Sequence, residues 1–192
     1  MKKLLAALAL TLVSALSAQA ADGERPYSFL VGLGLTGGGD TLANVVYTNG
    51  DTQKIRAGGL LMLYAGGETR IGELVTLQLT AGYNIDDTSG SNGRVRFSRY
   101  PVDLLAYYPL NDKVRLGAGA QFVNGAKLKG TGVASAIDEK YDSTVGFILE
   151  GEYRFTSLIG VKLRGVSEKF KESSTGTSFS GNHFGLLMNI YF

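Results

Sequence analysis

At 192 residues the chain has room for one domain, and no Pro-, Ser- or charge-rich stretch divides it into two hydrophobic halves. Its 19 Lys and Arg against 17 Asp and Glu leave no basic surplus or Arg-rich run of the kind that nucleic acid demands. The absence of Cys excludes disulfides, a thiol nucleophile and thiolate metal sites.

The chain opens as a secretory signal does. Lys2 and Lys3 precede a nearly unbroken apolar run from Leu4 to Leu16, and Ala18-Gln19-Ala20 supplies small residues for cleavage. A membrane-spanning helix would need roughly 20 apolar residues. Residues 1–20 are therefore expected to be removed, leaving a mature domain over residues 21–192 that begins at Ala21. Loss of two Lys from 19 bases leaves 17 against 17 acids, a formal charge of zero. The mature part is rich in Gly (27) and in Tyr and Phe (10 and 9), which suits antiparallel strands better than helices, whose interiors Gly weakens.

Eight strands follow in order. The first sets Tyr27, Phe29, Val31, Leu33 and Leu35 on one face. Asn49-Gly50 is a hairpin signal, because both central residues of a type I′ turn need positive φ. The arms on either side are long enough for this hairpin to rise above a membrane as a ribbon, with Gly37, Gly38 and Gly39 at its bend. A second strand is expected from about Arg56 to Arg70. The third alternates Val75, Leu77, Leu79, Ala81, Tyr83 and Ile85 with Thr76, Gln78, Thr80, Gly82 and Asn84. The fourth, about Gly93 to Tyr108, fits no single parity and suggests a bulge.

The fifth carries Val114, Leu116, Ala118, Ala120 and Phe122, and the sixth Val145, Phe147, Leu149, Tyr153 and Phe155. The seventh has Ile159, Val161 and Leu163, and the eighth Phe184, Leu186, Met188, Ile190 and Phe192. Short connections at 71–72, 110–112 and 156–157 alternate with longer polar ones near 87–92, 124–142 and 171–180, the pattern of periplasmic turns and extracellular loops.

A soluble sandwich or lipocalin-like barrel would turn the greasy face inward. Here aromatics gather at the strand ends of that face. Tyr27, Phe29, Tyr108, Tyr153, Phe155 and Phe192 lie at one end, and Tyr83, Phe122, Phe147 and Phe184 toward the other. Two aromatic girdles on strands of the roughly 9 to 11 residues that a tilted crossing requires point to a face in lipid. The expected fold is all-β, an eight-stranded antiparallel up-and-down transmembrane barrel.

Residues 21–192 resemble the family of small outer-membrane β-barrels that includes the transmembrane domain of outer-membrane protein A. The terminal Phe192, with Phe184, Leu186, Met188 and Ile190 alternating before it, resembles the signal that the barrel-assembly machinery recognises. Gly38-Gly39-Asp40-Thr41-Leu42 and Gly50-Asp51-Thr52-Gln53 resemble a subgroup of barrels that lends no catalytic residues. The resemblance implies the outer membrane as location, with its lipid, the assembly machinery and periplasmic chaperones as partners.

Two motifs have plainer readings than the functional ones they suggest. Gly32-Leu33-Gly34-Leu35-Thr36-Gly37 has the spacing of a dinucleotide loop but no helix after it, so the glycines read as making room inside a barrel. His183 is the single histidine, and Ser178, Ser180 and Glu168 are near it in sequence. It matches no motif of the lipid A deacylases or acyltransferases, so a hydrogen-bonded rim residue is favoured over a lipid-modifying catalyst. No cofactor or metal is expected.

Tyr100, Val102, Leu104, Ala106 and Tyr108 can face outward together. Then Glu68, Arg99, Asp103, Arg115, Glu150, Glu152, Arg154, Lys162 and Arg164 all face the lumen, four acids against five bases. Buried charges must pair, and an eight-stranded interior is only wide enough to be filled by side chains. The expectation is a monomeric, non-enzymatic barrel with a charge-plugged lumen, acting through its external loops or in envelope integrity. A narrow channel for small solutes is the alternative.

Overall fold

The computed structural model describes residues 27–47, 50–72, 74–90 and 92–192. The expected signal segment and Asn49 of the expected hairpin turn lie outside them. In chain order the strands are β1 (Tyr27–Gly38), β2 (Thr41–Val46), β3 (Thr52–Arg56), β4 (Leu61–Ile71), β5 (Val75–Ser89), β6 (Gly93–Pro109), β7 (Val114–Gly132), β8 (Asp138–Lys140), β9 (Thr144–Arg154), β10 (Ile159–Ser167), β11 (Lys169–Lys171), β12 (Ser178–Ser180) and β13 (His183–Tyr191).

Eight of these close a barrel. β1, β4, β5, β6, β7, β9, β10 and β13 each pair antiparallel with the next, and β13 returns to β1. The closing seam runs from Leu30 opposite Tyr191 to Gly38 opposite His183. Beyond it Phe29 and Phe192 exchange both backbone hydrogen bonds, at 3.2 and 2.8 Å. Closure leaves the wall of eight strands no open edge, so within it the backbone groups can be satisfied without water.

The pleat sorts the side chains. Leu79 is 56% exposed while its neighbours Gln78 and Thr80 are buried. Val31, Ala65, Ala81 and Val102 lie in register across β1, β4, β5 and β6. Tyr27, Phe29, Tyr108, Tyr153 and Phe155 stand exposed at the end with the short turns, and Tyr100, Phe122, Phe147 and Phe184 toward the other. Tyr83 packs on Tyr100, with ring centroids 5.2 Å apart.

β5, β6 and β7 extend beyond the other strands, and here the sequence reading needs three corrections. First, β6 keeps one parity throughout. Val95 and Phe97 point inward like Arg99 and Asp103, but into an apolar core above the lumen. The extra residue of the bulge sits on β7: the β6–β7 register shifts between Ser98 and Tyr100, which pair with Lys127 and Asn124. Gly125 takes up the bulge at φ +66°, and the inward face of β7 changes from Gln121 and Val123 to Ala126 and Leu128. Second, residues 124–142 are largely a strand arm rather than a loop, since β7 runs to Gly132 and β8 pairs back on it. Third, Arg56 to Arg70 is not one strand. β2 and β3 form their own ribbon after the bend at Gly38 and Gly39, and residues 57–60 turn inward before β4 begins.

The loops thus build a second core over the barrel mouth. Ile55, Ala57, Val95, Phe97, Val123, Leu128, Tyr141 and Phe170 are buried together. Phe97 stands edge-on to Tyr141 and Phe170 at 5.8 and 5.9 Å. Residues 171–180, read from sequence as a polar loop, hold the end of β11, a turn over 172–177 and β12 of the short β11–β12 hairpin, which carries Phe170 and Phe179 into this cap.

Candidate functional site

The inward face of the barrel stacks three tiers of polar side chains. In the lowest, nearest the short turns, Arg115 donates to Glu68 at 2.7 Å and to Glu152 at 2.6 Å, and Arg154 donates to Glu68 at 2.6 Å. Tyr191 donates to Glu152 and accepts from Arg115 at 3.0 Å. The Arg115 guanidinium lies 4.1 Å from the centre of the Tyr107 ring, and that of Arg154 lies 4.2 Å from Tyr191. Each guanidinium thus has a carboxylate along its edge and a ring on its face, which partly replaces lost water.

In the middle tier Glu150 receives Arg164 at 2.5 Å, Lys162 at 3.2 Å and the Tyr107 hydroxyl. Arg164 also reaches Asp103 at 2.7 Å, and Asp103 accepts from Gln121 at 2.9 Å. Lys162 spends further donors on Gln78 at 2.6 Å and Tyr107 at 2.7 Å. The side chains of Lys162, Arg164 and Glu150 are all 0% exposed.

The upper tier closes against the cap. Arg99 pairs with Glu168 and donates to the Gly58 carbonyl at 3.0 Å. His183 lies 3.4 Å from Arg99 through Nε2, 3.4 Å from Glu168 and 2.8 Å from the Gly181 carbonyl through Nδ1. Thr36 also donates to the Gly58 carbonyl, at 3.1 Å. The inward turn at 57–60 thus lends its backbone to the lumen network.

All nine charges expected in the lumen lie on its inner wall; eight are buried, and Arg154 at the lower end keeps 27% of its side chain exposed. Sequence reasoning missed Glu168. It lies just past β10, in the parity of Lys162, Arg164 and Val166, and that continued alternation was the available signal. With it the three tiers hold five acids and five bases. His183 faces inward at the start of β13 and is buried. Ser180, near it in sequence, accepts from the Asn182 backbone at 3.4 Å instead. The paired glycines of β1 serve the lumen too: a Cβ at Gly32 would lie 2.2 Å from the Tyr64 ring, which occupies that space.

A vestibule of about 490 Å3 opens at the short-turn end between Arg70, Thr76, Asn111 and Lys113, and its wall includes Arg115 and Arg154, where the ion pairs begin. At the far end Lys127 donates to Asp138 at 2.8 Å and holds that exposed carboxyl below its ordinary range. Among the described residues no three His, Cys, Asp or Glu side chains are grouped to hold a metal ion.

The outer membrane protein beta-barrel domain family matches residues 6–192. The chain belongs to this family. Membership places it in the outer membrane. Among solved structures it is similar to Ail, the attachment invasion locus protein of Yersinia pestis, at 11% identity and TM-score 0.54, over 86% of this chain and 97% of that one. It is also similar to Neisserial surface protein A, at 11% identity and TM-score 0.53, over 89% of this chain and all of that one. These likenesses show a shared fold. A search of curated proteins found no match.

Proposed function

We propose that the chain is a non-enzymatic outer-membrane barrel whose lumen is plugged by paired charges, and that it works through its extracellular cap or in envelope integrity. The observation that carries this reading is the Glu150, Lys162 and Arg164 cluster, three charges at 0% exposure across the middle of a barrel too narrow to leave a pore beside them. Ion pairs sealed from water at this depth fix the side chains in place, because separating them would strand a charge. The extracellular ribbon and hairpins share one apolar core, so they form a rigid platform rather than loose loops. Ail carries attachment and invasion in its name, a precedent for a surface role on this fold.

Removal of residues 1–20, delivery by periplasmic chaperones, insertion by the assembly machinery and a monomeric state belong to the same proposal. His183 as a lipid-modifying catalyst is disfavoured by its burial between Arg99 and Gly181, away from any substrate in the outer leaflet. The deciding measurement is conductance of the purified protein in a planar bilayer. Current at the lipid background agrees with the plug. Steady openings of uniform size would make a narrow solute channel the better reading. Unchanged lipid composition when His183→Ala replaces the native chain agrees with a non-enzymatic role, and a lost lipid modification would overturn it.

A further inference from the structure

Three of the inward rows end in cations at the short-turn mouth. On β4 the row of Tyr64 and Glu68 ends at Arg70, on β9 the row of Glu150 and Glu152 ends at Arg154, and ahead of β7 Lys113 extends the row of Arg115. All of them line the vestibule of about 490 Å3, a volume that small ligands fill. Their partners differ. Arg115 is held by Glu68 and Glu152, and Arg154 gives Nη2 to Glu68 at 2.6 Å, while its buried Nε makes no hydrogen bond and lies 3.8 Å from Glu152. Arg70 and Lys113 are exposed, and neither side chain has a hydrogen bond or ion pair among the described residues. The acid on the vestibule wall among those residues is Asp112, in the turn between β6 and β7.

The strand order sets these cations at two poles. Arg70 lies opposite Thr76 of β5, which lies opposite Tyr107 of β6. Lys113 and Arg154 stand together beyond β6, joined by the hydrogen bond from the Arg154 amide to the Lys113 carbonyl at 2.7 Å. Asn111 Oδ1 accepts from the Lys113 and Val114 amides at 2.9 Å, which fixes the turn and leaves its side-chain nitrogen to donate into the vestibule beside Thr76. Two cationic poles with neutral donors near them suit a ligand that carries two oxyanion groups. The first charge-assisted contact makes the second intramolecular, which a ligand with one such group cannot exploit.

We propose that this mouth binds a small solute with two carboxylate or phosphate groups, one at Arg70 and the other at Lys113 and Arg154. Binding there does not require the lumen to conduct, so its test is independent of the plug. With the cap outside, as proposed above, the mouth opens to the periplasm and takes its ligand from that compartment; binding in detergent tests the site without that orientation.

The chain is refolded in a zwitterionic detergent and binding is read by equilibrium dialysis at fixed ionic strength. The probes with one group are acetate and inorganic phosphate; those with two are pyrophosphate and the straight-chain dicarboxylates from malonate to pimelate. A two-group probe should bind roughly tenfold more tightly than its one-group counterpart, and which series does so tells carboxylate from phosphate. Arg70→Gln and Lys113→Gln should each bring that probe down to the one-group affinity, with heat-induced gel mobility showing both variants folded. Lys127→Gln, at the far end of the barrel, should bind as the native chain does. Equal affinity for one-group and two-group probes, binding unchanged in either rim variant, or no binding of any probe would overturn the site.

Discussion

Arg99 and Glu168 form an ion pair with both side chains all but removed from solvent, at 1% and 0% exposed, although 69 residues separate them in the chain. It seals the lumen against the cap, because Arg99 also holds the Gly58 carbonyl and lies 5.5 Å from the centre of the Phe170 ring. Breaking such a pair from one side leaves an uncompensated charge, which costs about 3 to 5 kcal/mol. Arg99→Met and Glu168→Met should therefore each destabilise the barrel strongly in a urea unfolding titration. The double variant should recover much of the loss, since replacing both partners by apolar groups removes the stranded charge. Additive losses would show that the two residues act separately.

The middle and lowest tiers make a related prediction with a different readout. Glu150→Gln together with Glu152→Gln keeps side-chain volume but leaves Lys162, Arg164 and Arg115 short of carboxylates. Stability should fall, by a few kcal/mol in the same titration. Conductance should stay at the lipid background, because the bulky bases still fill the interior. A stable double variant that conducts would mean that charge pairing, rather than volume, closes the lumen.

Facing is tested on one strand by adjacent residues. Leu79 is 56% exposed to lipid and Thr80 is 2% exposed inside. Leu79→Arg puts a charge into hydrocarbon and should cost about 2 to 4 kcal/mol. Thr80→Arg instead adds a base opposite Asp103 in the register, where space rather than lipid sets the cost. Refolding yield as a function of urea separates them: equal tolerance of the two substitutions would overturn the facing.

The inward turn before β4 depends on a residue without a side chain. Gly59 has φ +72°, and a Cβ there would fall 1.7 Å from Asn84 Oδ1. Gly59→Ala should cost at least about 1 to 2 kcal/mol for the left-handed backbone, with a further loss as Asn84 is pushed off Thr36. Gly37→Ala is the control, since nothing lies within 4 Å of its added Cβ. Hydrogen exchange should then quicken in β2 and β3 for the first variant and not for the second.

The membrane-spanning part was legible because lipid on one side and a packed polar lumen on the other impose a strict period of two. Leu77 to Ile85 and Phe184 to Phe192 carry that period without interruption. Legibility fails above the membrane, where the inside becomes apolar and the outside aqueous. Val95 and Phe97 keep their inward parity but change their chemistry, so they read as a break in β6. The true break, at Gly125 on β7, lay inside a stretch polar enough to pass for a loop. Glu168 was missed for the same reason: it belongs to the lumen by parity and to a loop by neighbourhood.

The last prediction concerns the closing seam. Phe192 gives and receives a backbone hydrogen bond with Phe29, so the terminal residue completes the ring that Tyr191 and Leu30 begin. Closure pairs β1 with β13, the barrel neighbours furthest apart in sequence, so bringing them together costs the most loop entropy of any strand pair in the barrel. Deleting Phe192 removes two hydrogen bonds at that seam and the final aromatic of the alternating terminal face. Folding into vesicles should slow severalfold, and in cells more of the protein should remain in the periplasm. Phe192→Tyr keeps both the aromatic and the backbone and should restore folding. Surface levels unchanged by the deletion, measured by protease shaving and immunoblotting, would remove Phe192 from both assembly and closure.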